Sequence, residues 1–344
     1  MSATNSVHER RTWPERLFSD DDPTAVSLNI RARRSGFDVH QPVLLHEVIS
    51  LMKIKPDGRY IDATLGGGGH AEAILETLQE EGRLLGFDCD PDAIERTGKR
   101  LKRFGGRCHI VHSNFRDLAM KAEERQFNPV DGVLMDIGVS SFQLDQARRG
   151  FSFSHDGPLD MRMDHTRAPT AADLVNREDE KTLADLIYRF GEERNSRRIA
   201  RRIVERRAEK PITTTGELAE VVASASRSRG GRIHPATRTF QALRIAVNRE
   251  MENLEIGLEA AMNLLKVGGR LGVITFHSLE DRLVKTRFRD HVGREKALEA
   301  GGAIWEGRCP RGRLVNRKPV VPEATEVNAN PRSRSAKLRV WERI

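Results

Sequence analysis

The stretch Arg59-Tyr-Ile-Asp-Ala-Thr-Leu-Gly-Gly-Gly-Gly-His70 decides the fold. It begins as a short apolar strand and runs into a glycine loop. The residues after it, Ala71-Glu-Ala-Ile-Leu-Glu-Thr-Leu78, carry apolar side chains at helical spacing. Strand, glycine turn and helix in succession open a nucleotide-binding α/β fold. Gly66 to Gly69 lack a Cβ, so the backbone can turn sharply and a cofactor can lie against it. No Gly-Lys-Ser/Thr follows, which excludes a Walker A loop, and the dinucleotide fingerprint fits poorly. Taken alone, the glycine run also fits a plain flexible turn.

Arg83-Leu-Leu-Gly-Phe-Asp88 reads as a second strand that ends in a carboxylate. This acid lies about 20 residues beyond the glycines, where such folds place a ribose-binding Asp or Glu. The plainer alternative for Asp88 is a strand-end cap. Asp90 and Pro91 then start a helix, the first as N-cap and the second at the first helical position. Ile110-Val-His-Ser-Asn-Phe115 reads as a third strand with its exit loop, and Asp131-Gly-Val-Leu-Met-Asp136 as a fourth. Strand alternating with helix predicts a parallel sheet with helices on both faces. Ligands bind outside the C-terminal strand ends of such sheets. The loop glycines, Asp88, Phe115 and Asp136 all fall there. Phe115 offers a stacking face, with ordinary core packing as its rival role.

The alternation then stops, and residues 147–244 read as an inserted all-helical domain. A loop rich in glycine, aromatic and charged residues, Gly150 to Asp164, leads into it. Leu183, Leu186, Ile187 and Phe190 share one helical face. On the next helix Arg194, Arg197, Arg198, Arg201 and Arg202 fall on one side, with Ile199 and Ile203 on the other. That stripe suits RNA phosphates. The bland alternative is a solvated face paired locally with Glu192, Glu193 and Glu205. Past the insert, Met251, Leu254, Leu258, Met262 and Leu265 repeat at helical spacing until Gly268 and Gly269, read as the stop. Arg270 to Phe276 is the fifth strand, and it delivers His277-Ser-Leu-Glu-Asp-Arg282 to the same rim. Ala336 to Arg343 reads as an edge strand. The core is therefore expected in two pieces, 38–146 and 245–344.

The 344 residues carry a formal charge of +8 and a sequence pI of about 9.7, a balance that suits a polyanionic partner. The three cysteines, Cys89, Cys108 and Cys309, are scattered and form no CxxC pair. This argues against a disulfide framework and a zinc site, and for a reducing, cytoplasmic compartment. No apolar run is long enough to span a membrane. Residues 1–37 are polar, charged and aperiodic, as expected of a disordered arm.

Taken together, six motifs closely resemble the bacterial 16S rRNA cytosine-N4 methyltransferases, the MraW family (ribosomal RNA small subunit methyltransferase H). They are His40-Gln-Pro-Val-Leu44, Asp62 to His70, Asp136-Ile-Gly-Val-Ser-Ser-Phe-Gln143, Gly157-Pro-Leu-Asp-Met-Arg-Met-Asp164, Gly191-Glu-Glu-Arg194 and Thr275 to Arg282. The resemblance covers about residues 38–344. It implies a class I, Rossmann-like core with an inserted helical domain, and S-adenosylmethionine (SAM) as methyl donor. It implies a P-site cytidine of 16S rRNA in the 30S subunit as target, and it allows a homodimer. By the same resemblance Gly68, Gly69, His70, Asp88, Phe115, Asp136 and Gln143 contact SAM. Many amino-methyltransferases hold the amine with an Asn/Asp-Pro-Pro-aromatic turn after the fourth strand; here Asp136-Ile-Gly-Val-Ser-Ser lacks those prolines. Asp136 is the candidate between donor and amine, with pure cofactor binding as its rival role. His277 and Ser278 are candidates for base contact, and Arg194, Arg197, Arg198 and Arg201 for rRNA. Other readings of the fold are a SAM-dependent enzyme for protein or small molecules, an NAD-dependent oxidoreductase, and a ribosome-binding assembly factor without turnover.

Overall fold

Runs that are apolar on both faces, such as Leu84–Phe87 and Val133–Met135, need cover on both sides. The computed structural model shows how this is met; it describes residues 42–225, 234–297, 303–306 and 310–344. The expected disordered arm, His40 and Cys309 lie outside the described residues. Strands β1 (Arg59–Asp62), β2 (Arg83–Asp88), β3 (Cys108–His112), β4 (Val130–Asp136) and β5 (Leu265–Thr275) run parallel. A short hairpin, β6 (Arg294–Ala297) and β7 (Ala303–Glu306), stands apart from the main sheet. The main sheet is completed by β8 (Gly312–Leu314) and β9 (Lys337–Arg343), giving the order β3-β2-β1-β4-β5-β9-β8. Strand β9 is antiparallel to both of its neighbours. The α/β class I core expected of the chain is present.

Alternate strand residues face opposite layers, as the two-residue period demands. Ile61, Leu85, Val133 and Met135 pack on helices α4 (Leu118–Glu124), α11 (Glu250–Leu264) and α12 (Ser278–Val292). Tyr60, Leu84 and Leu134 pack on α1 (Leu45–Met52), α2 (Gly69–Thr77) and α3 (Pro91–Leu101). Between β4 and β5 lies a third apolar cluster with its own helices. Its helices are α6 (Ala171–Arg177), α7 (Glu180–Gly191), α8 (Ser196–Glu209), α9 (Thr215–Ala225) and α10 (Ala236–Asn248). Leu183 and Ile187 of α7 meet Ile199 and Ile203 of α8 there, on the faces their spacing predicts.

Two expectations are corrected. The C-terminal strand β9 is interior, because the three-residue β8 covers its outer side. The helix before β5 ends at Leu264, ahead of the glycine pair. Leu265 pairs with Val130 and Arg270 with Gly132, so the residues between them bulge out of the ladder, with Gly268 at φ +78°. The glycines turn a bulge instead of stopping a helix.

The end of the sheet away from the rim is clipped by Asp131. Its carboxylate accepts from Lys55 Nζ (2.9 Å), Lys266 Nζ (2.8 Å) and the Arg59 N–H (3.0 Å). Burial pushes this carboxyl up, but the bonds from Lys266, Lys55 and Arg59 outweigh it and hold it at about 2. A depressed folded-state value contributes stability above the ordinary carboxylate range and loses it as the pH falls toward the folded value. Both lysines are substantially exposed, so Asp131→Asn should cost about 1–2 kcal/mol at neutral pH. Urea denaturation checks this, and the two proteins should converge between pH ~4 and ~2.

Candidate active site

The C-terminal tips of the parallel strands open on one cavity of about 600 Å³. Its floor is the glycine turn. Gly66 and Gly68 are left-handed, at φ +49° and +77°, and the Gly68 N–H donates to the Leu65 carbonyl at 2.6 Å. Gly66, Gly67, Gly69 and His70 line the cavity. Gly68, expected there too, instead N-caps α2 and faces α3, where a Cβ would come 2.8 Å from Thr97 Cγ2.

Asp88 stands beside the turn. One oxygen accepts from the Gly66 N–H (2.8 Å) and the other from the Asp90 N–H (2.9 Å). Asp136, at the tip of β4, faces His70. The His70 Nε2 meets the Val43 carbonyl at 2.9 Å, so this nitrogen carries a proton, and Nδ1 lies 3.5 Å from Asp136 Oδ2. Asp62 at the tip of β1 is fully buried. Neither Asp62 Oδ2 nor Asp136 Oδ1 has a hydrogen-bond partner among the described residues.

Burial, and then neighbouring negative charge, raises all three carboxyls. Burial, then repulsion from Asp62 and Glu280, lifts Asp136 to about 8. Burial and Asp88 lift Asp62 to about 7, against a hydrogen bond from Thr64. Burial lifts Asp88 to about 6, against its two backbone donors. A cleft of this kind favours a cation or a hydrogen-bond donor over an anion.

Phe115 is set by a single helical turn, Phe115–Asp117, capped by Asn114, whose Oδ1 accepts from the Arg116 N–H at 2.9 Å. Its ring lines the cavity and also packs on α11, where a Cβ on Gly257 would come 2.7 Å from Phe115 Cδ2. The packing reading therefore holds, and the ring is also open to the cavity. Gln143 lines the wall but spends its amide on the protein. Its Oε1 accepts from the Ser140 N–H (2.9 Å) and its Nε2 donates to Asp90 Oδ2 (2.8 Å). It braces the loop after β4 against the N-cap of α3.

His277 and Ser278 do not line the cavity. His277 N-caps α12, with Nδ1 accepting from the Glu280 N–H at 3.4 Å and Nε2 3.0 Å from Glu280 Oε1. Ser278 is exposed and donates to Glu192 Oε2 at 2.6 Å. The rim residue that does reach the cavity is Glu280, whose Oε2 accepts from the N–H groups of Phe276 (2.8 Å) and His277 (3.2 Å). Sequence reading passed over it, although it sits inside a quoted motif. It also passed over Arg244, doubly bonded to Glu250 at 2.8 Å, and Arg334 at the lip. Only their place in the cavity lining reveals them.

The arginine stripe is as expected on α8: Arg197, Arg198, Arg201 and Arg202 are exposed and Ile199 and Ile203 buried. Arg194 is exposed but sits in the turn before the helix. Glu205 pairs with Arg202 at 2.8 Å, and Glu180 lies 3.6 Å from Arg201. Glu192 turns away to Ser278 and Arg282. Among the described residues, Arg197 and Arg198 have no ion pair.

A raised folded-state carboxyl destabilises the ligand-free protein increasingly as pH climbs from the unfolded value toward the folded one. For Asp62 that window is pH ~4 to about 7. Asp62→Asn should therefore be close to neutral near pH 4 and stabilising by up to about 4 kcal/mol at pH 8. Thermal unfolding across that range checks the sign; a variant weaker than wild type at pH 8 would contradict it.

Residues 38–344 match the profile of the MraW methylase family. A "Ribosomal RNA small subunit methyltransferase H" of Syntrophobacter fumaroxidans is 51% identical over 308 residues, spanning 88% of this chain and 96% of the relative. The protein of that name from Geobacter sp. is 51% identical over 307 residues (89% and 98%). That from Thermomicrobium roseum is 50% identical over 305 residues (89% and 94%). Together with the strand order and the shared rim, these matches show that the chain belongs to the MraW methylase family and is a methyltransferase.

Proposed function

We propose that this enzyme transfers a methyl group from SAM to the exocyclic N4 amine of one cytidine in the P-site region of 16S rRNA, within the small ribosomal subunit. The observation that carries the donor assignment is the orphaned carboxylate oxygen on Asp136, a residue that lines the cavity beside the glycine turn, with a second orphan on the fully buried Asp62 behind it. A sulfonium or an ammonium is a partner that the Asp136 oxygen lacks. Gly66, Gly67 and Gly69 admit the methionine end, and His70 closes it. Asp88 keeps lone pairs for ribose hydroxyls, because a carboxylate offers about four acceptor sites and two are used. The Phe115 ring serves as a face for adenine. The names of the relatives support ribosomal RNA as the substrate class.

Bound in this cleft, SAM supplies a methyl group already activated for in-line displacement. The protein's task is chiefly positioning. A cytosine amine is a poor nucleophile, because its lone pair is delocalised into the ring. Asp136, with Glu280 facing it, supplies acceptors that hold the amine in line. Its carboxyl, raised to about 8 before ligands enter, is suited to receive the proton released late in the step. Pure cofactor binding remains the rival role. Asp136→Asn separates them: normal SAM affinity with turnover down about a hundredfold favours proton transfer. Joint loss of both favours the ligand role, and unchanged turnover removes Asp136 from the chemistry.

A cationic ligand ionises the raised carboxyls, so SAM binding should release protons near neutral pH and tighten between pH 6 and 8. Calorimetry in two buffers of different ionisation enthalpy reads this directly. A target cytosine in folded RNA has to be splayed out to reach the cleft. The helical segment 147–244, carrying the α8 stripe, is the candidate substrate-recognition domain. Replacing Arg197, Arg198 and Arg201 by Ala should weaken RNA binding and flatten its salt dependence by about one unit of slope per lost phosphate contact. Mass spectrometry of 16S rRNA from cells lacking the protein tests the whole reading. Loss of one N4-methyl on one cytidine is expected, and an unchanged methylation pattern would overturn it.

A further inference from the structure

A second cavity, of about 340 Å³, adjoins the first and shares Cys89, Asn114, Met163, Asn248 and Asn253 with it as a common wall. Its charge is opposite. Arg116, Arg162, Arg167 and Arg249 line it against one carboxylate, Asp164. Three of these guanidiniums have partners. Arg162 is doubly bonded to Asp160, Arg167 lies 2.9 Å from Asp164 Oδ2, and Arg116 donates to Asn253 Oδ1 at 3.2 Å and lies 3.6 Å from Glu252 Oε1. Arg249 is exposed and has no ion pair among the described residues.

The backbone at Arg249 is unusual as well. It joins α10 directly to α11 in a left-handed conformation, φ +49°, a region that favours glycine. It is also the N-cap of α11 and provides no side-chain cap, and the first turn of that helix carries Glu250 and Glu252. Its sequence neighbour Glu250 lines the first cavity while Arg249 lines the second. One junction thus faces a carboxylate-rich cleft on one side and a guanidinium-rich cleft on the other.

We propose that the second cavity binds a phosphodiester of the RNA strand next to the target nucleotide, with Arg249 as its principal cation. The inference rests on RNA being the substrate and adds where the adjoining strand is gripped. With the target base in the first cavity, the shared wall at Asn248 lets the neighbouring backbone cross into the second. Arg116 and Arg167, each already beside a carboxylate, line the same wall and offer their remaining N–H groups to a phosphate.

The test uses full-length enzyme, small ribosomal subunits and a short single-stranded RNA. Arg249→Gly removes the guanidinium and suits the left-handed backbone, so loss of binding cannot be ascribed to a broken turn. The variant should raise the KM for subunits about tenfold, change kcat less than about twofold, and make the salt slope of RNA binding shallower by about one. Its SAM dissociation constant should match wild type. Arg249→Lys, which restores charge without the planar fork, should recover part of the loss. Unchanged KM and slope in Arg249→Gly would overturn the proposal, as would an Arg249→Lys protein no better than the glycine variant. A wild-type enzyme that methylates no rRNA would instead sink the proposed function and this inference with it.

Discussion

Three carboxyls crowd the tips of adjacent strands, and much of the site follows from that. Asp62, Asp88 and Asp136 end β1, β2 and β4, neighbours in the sheet; Asp62 is level with Gly86 and Leu134, so Asp88 and Asp136 each stand two residues farther toward the rim. Each is raised by burial, and their mutual repulsion adds to it for Asp62 and Asp136. An ordinary core would not keep such a group. The surrounding donors relieve it only in part. Gly66 and Asp90 serve Asp88, and Thr64 serves Asp62, while one oxygen on Asp62 and one on Asp136 stay without a partner. The strain is local and has one evident use, the attraction of a cation into a cleft with apolar walls.

The helical segment between β4 and β5 is tied to this rim by a few polar clasps. Glu192, left-handed at the end of α7, accepts from Ser278 and Arg282 on α12. Asn248 at the end of α10 accepts from the Met163 N–H (2.7 Å) and donates to the Met161 carbonyl (2.8 Å). That fixes the Gly157–Asp164 loop against the cavity wall. Arg149 adds a buried link, donating to Asp90 Oδ2 at 2.9 Å and to the carbonyls of Arg162 and Met163. Asp90 therefore joins the start of α3, Gln143 and the loop in one network. The motif residues that do not face the cavity hold together the parts that do.

This explains which parts of the molecule could be read from the chain and which could not. The parallel strands were legible because Leu84–Phe87 and Val133–Met135 are apolar on both faces and end in acids. The α8 stripe was legible because charge and apolarity separate at the helical period. Strand β8 was not: three residues carry no period, and it exists only because β9 offers an unpaired side. The glycine pair inside β5 looked like a helix stop because a bulge and a C-cap both call for the same residue. Glu280, Arg244 and Arg334 were missed for another reason. Their roles depend on where α10, α12 and the C-terminal segment meet the cleft, and no local pattern encodes that meeting. His277 and Ser278 were secondary candidates at the rim after the fifth strand, yet helix capping and Glu192 claim them.

The loop after β4 shows how a proline-free turn can still be rigid. Ile137 is anchored by its N–H to the Ile274 carbonyl on β5 at 3.1 Å. Gly138 follows at φ +118°, a conformation closed to other residues, with the Phe276 ring about 3.4 Å from where a Cβ would stand. Ser140 and Gln143 then form a reciprocal capping box that starts a short helix, α5 (Ser141–Asp145). Gln143 fastens that helix to Asp90. Sheet pairing, a glycine bend, a cap and a buried amide bond thus fix successive points of a seven-residue path. Prolines would fix the same path by limiting φ. Here hydrogen bonds do so, and they leave Asp136 on a rigid backbone with one oxygen turned to the cleft. A methyl transfer that depends on alignment needs that rigidity more than it needs any one residue type.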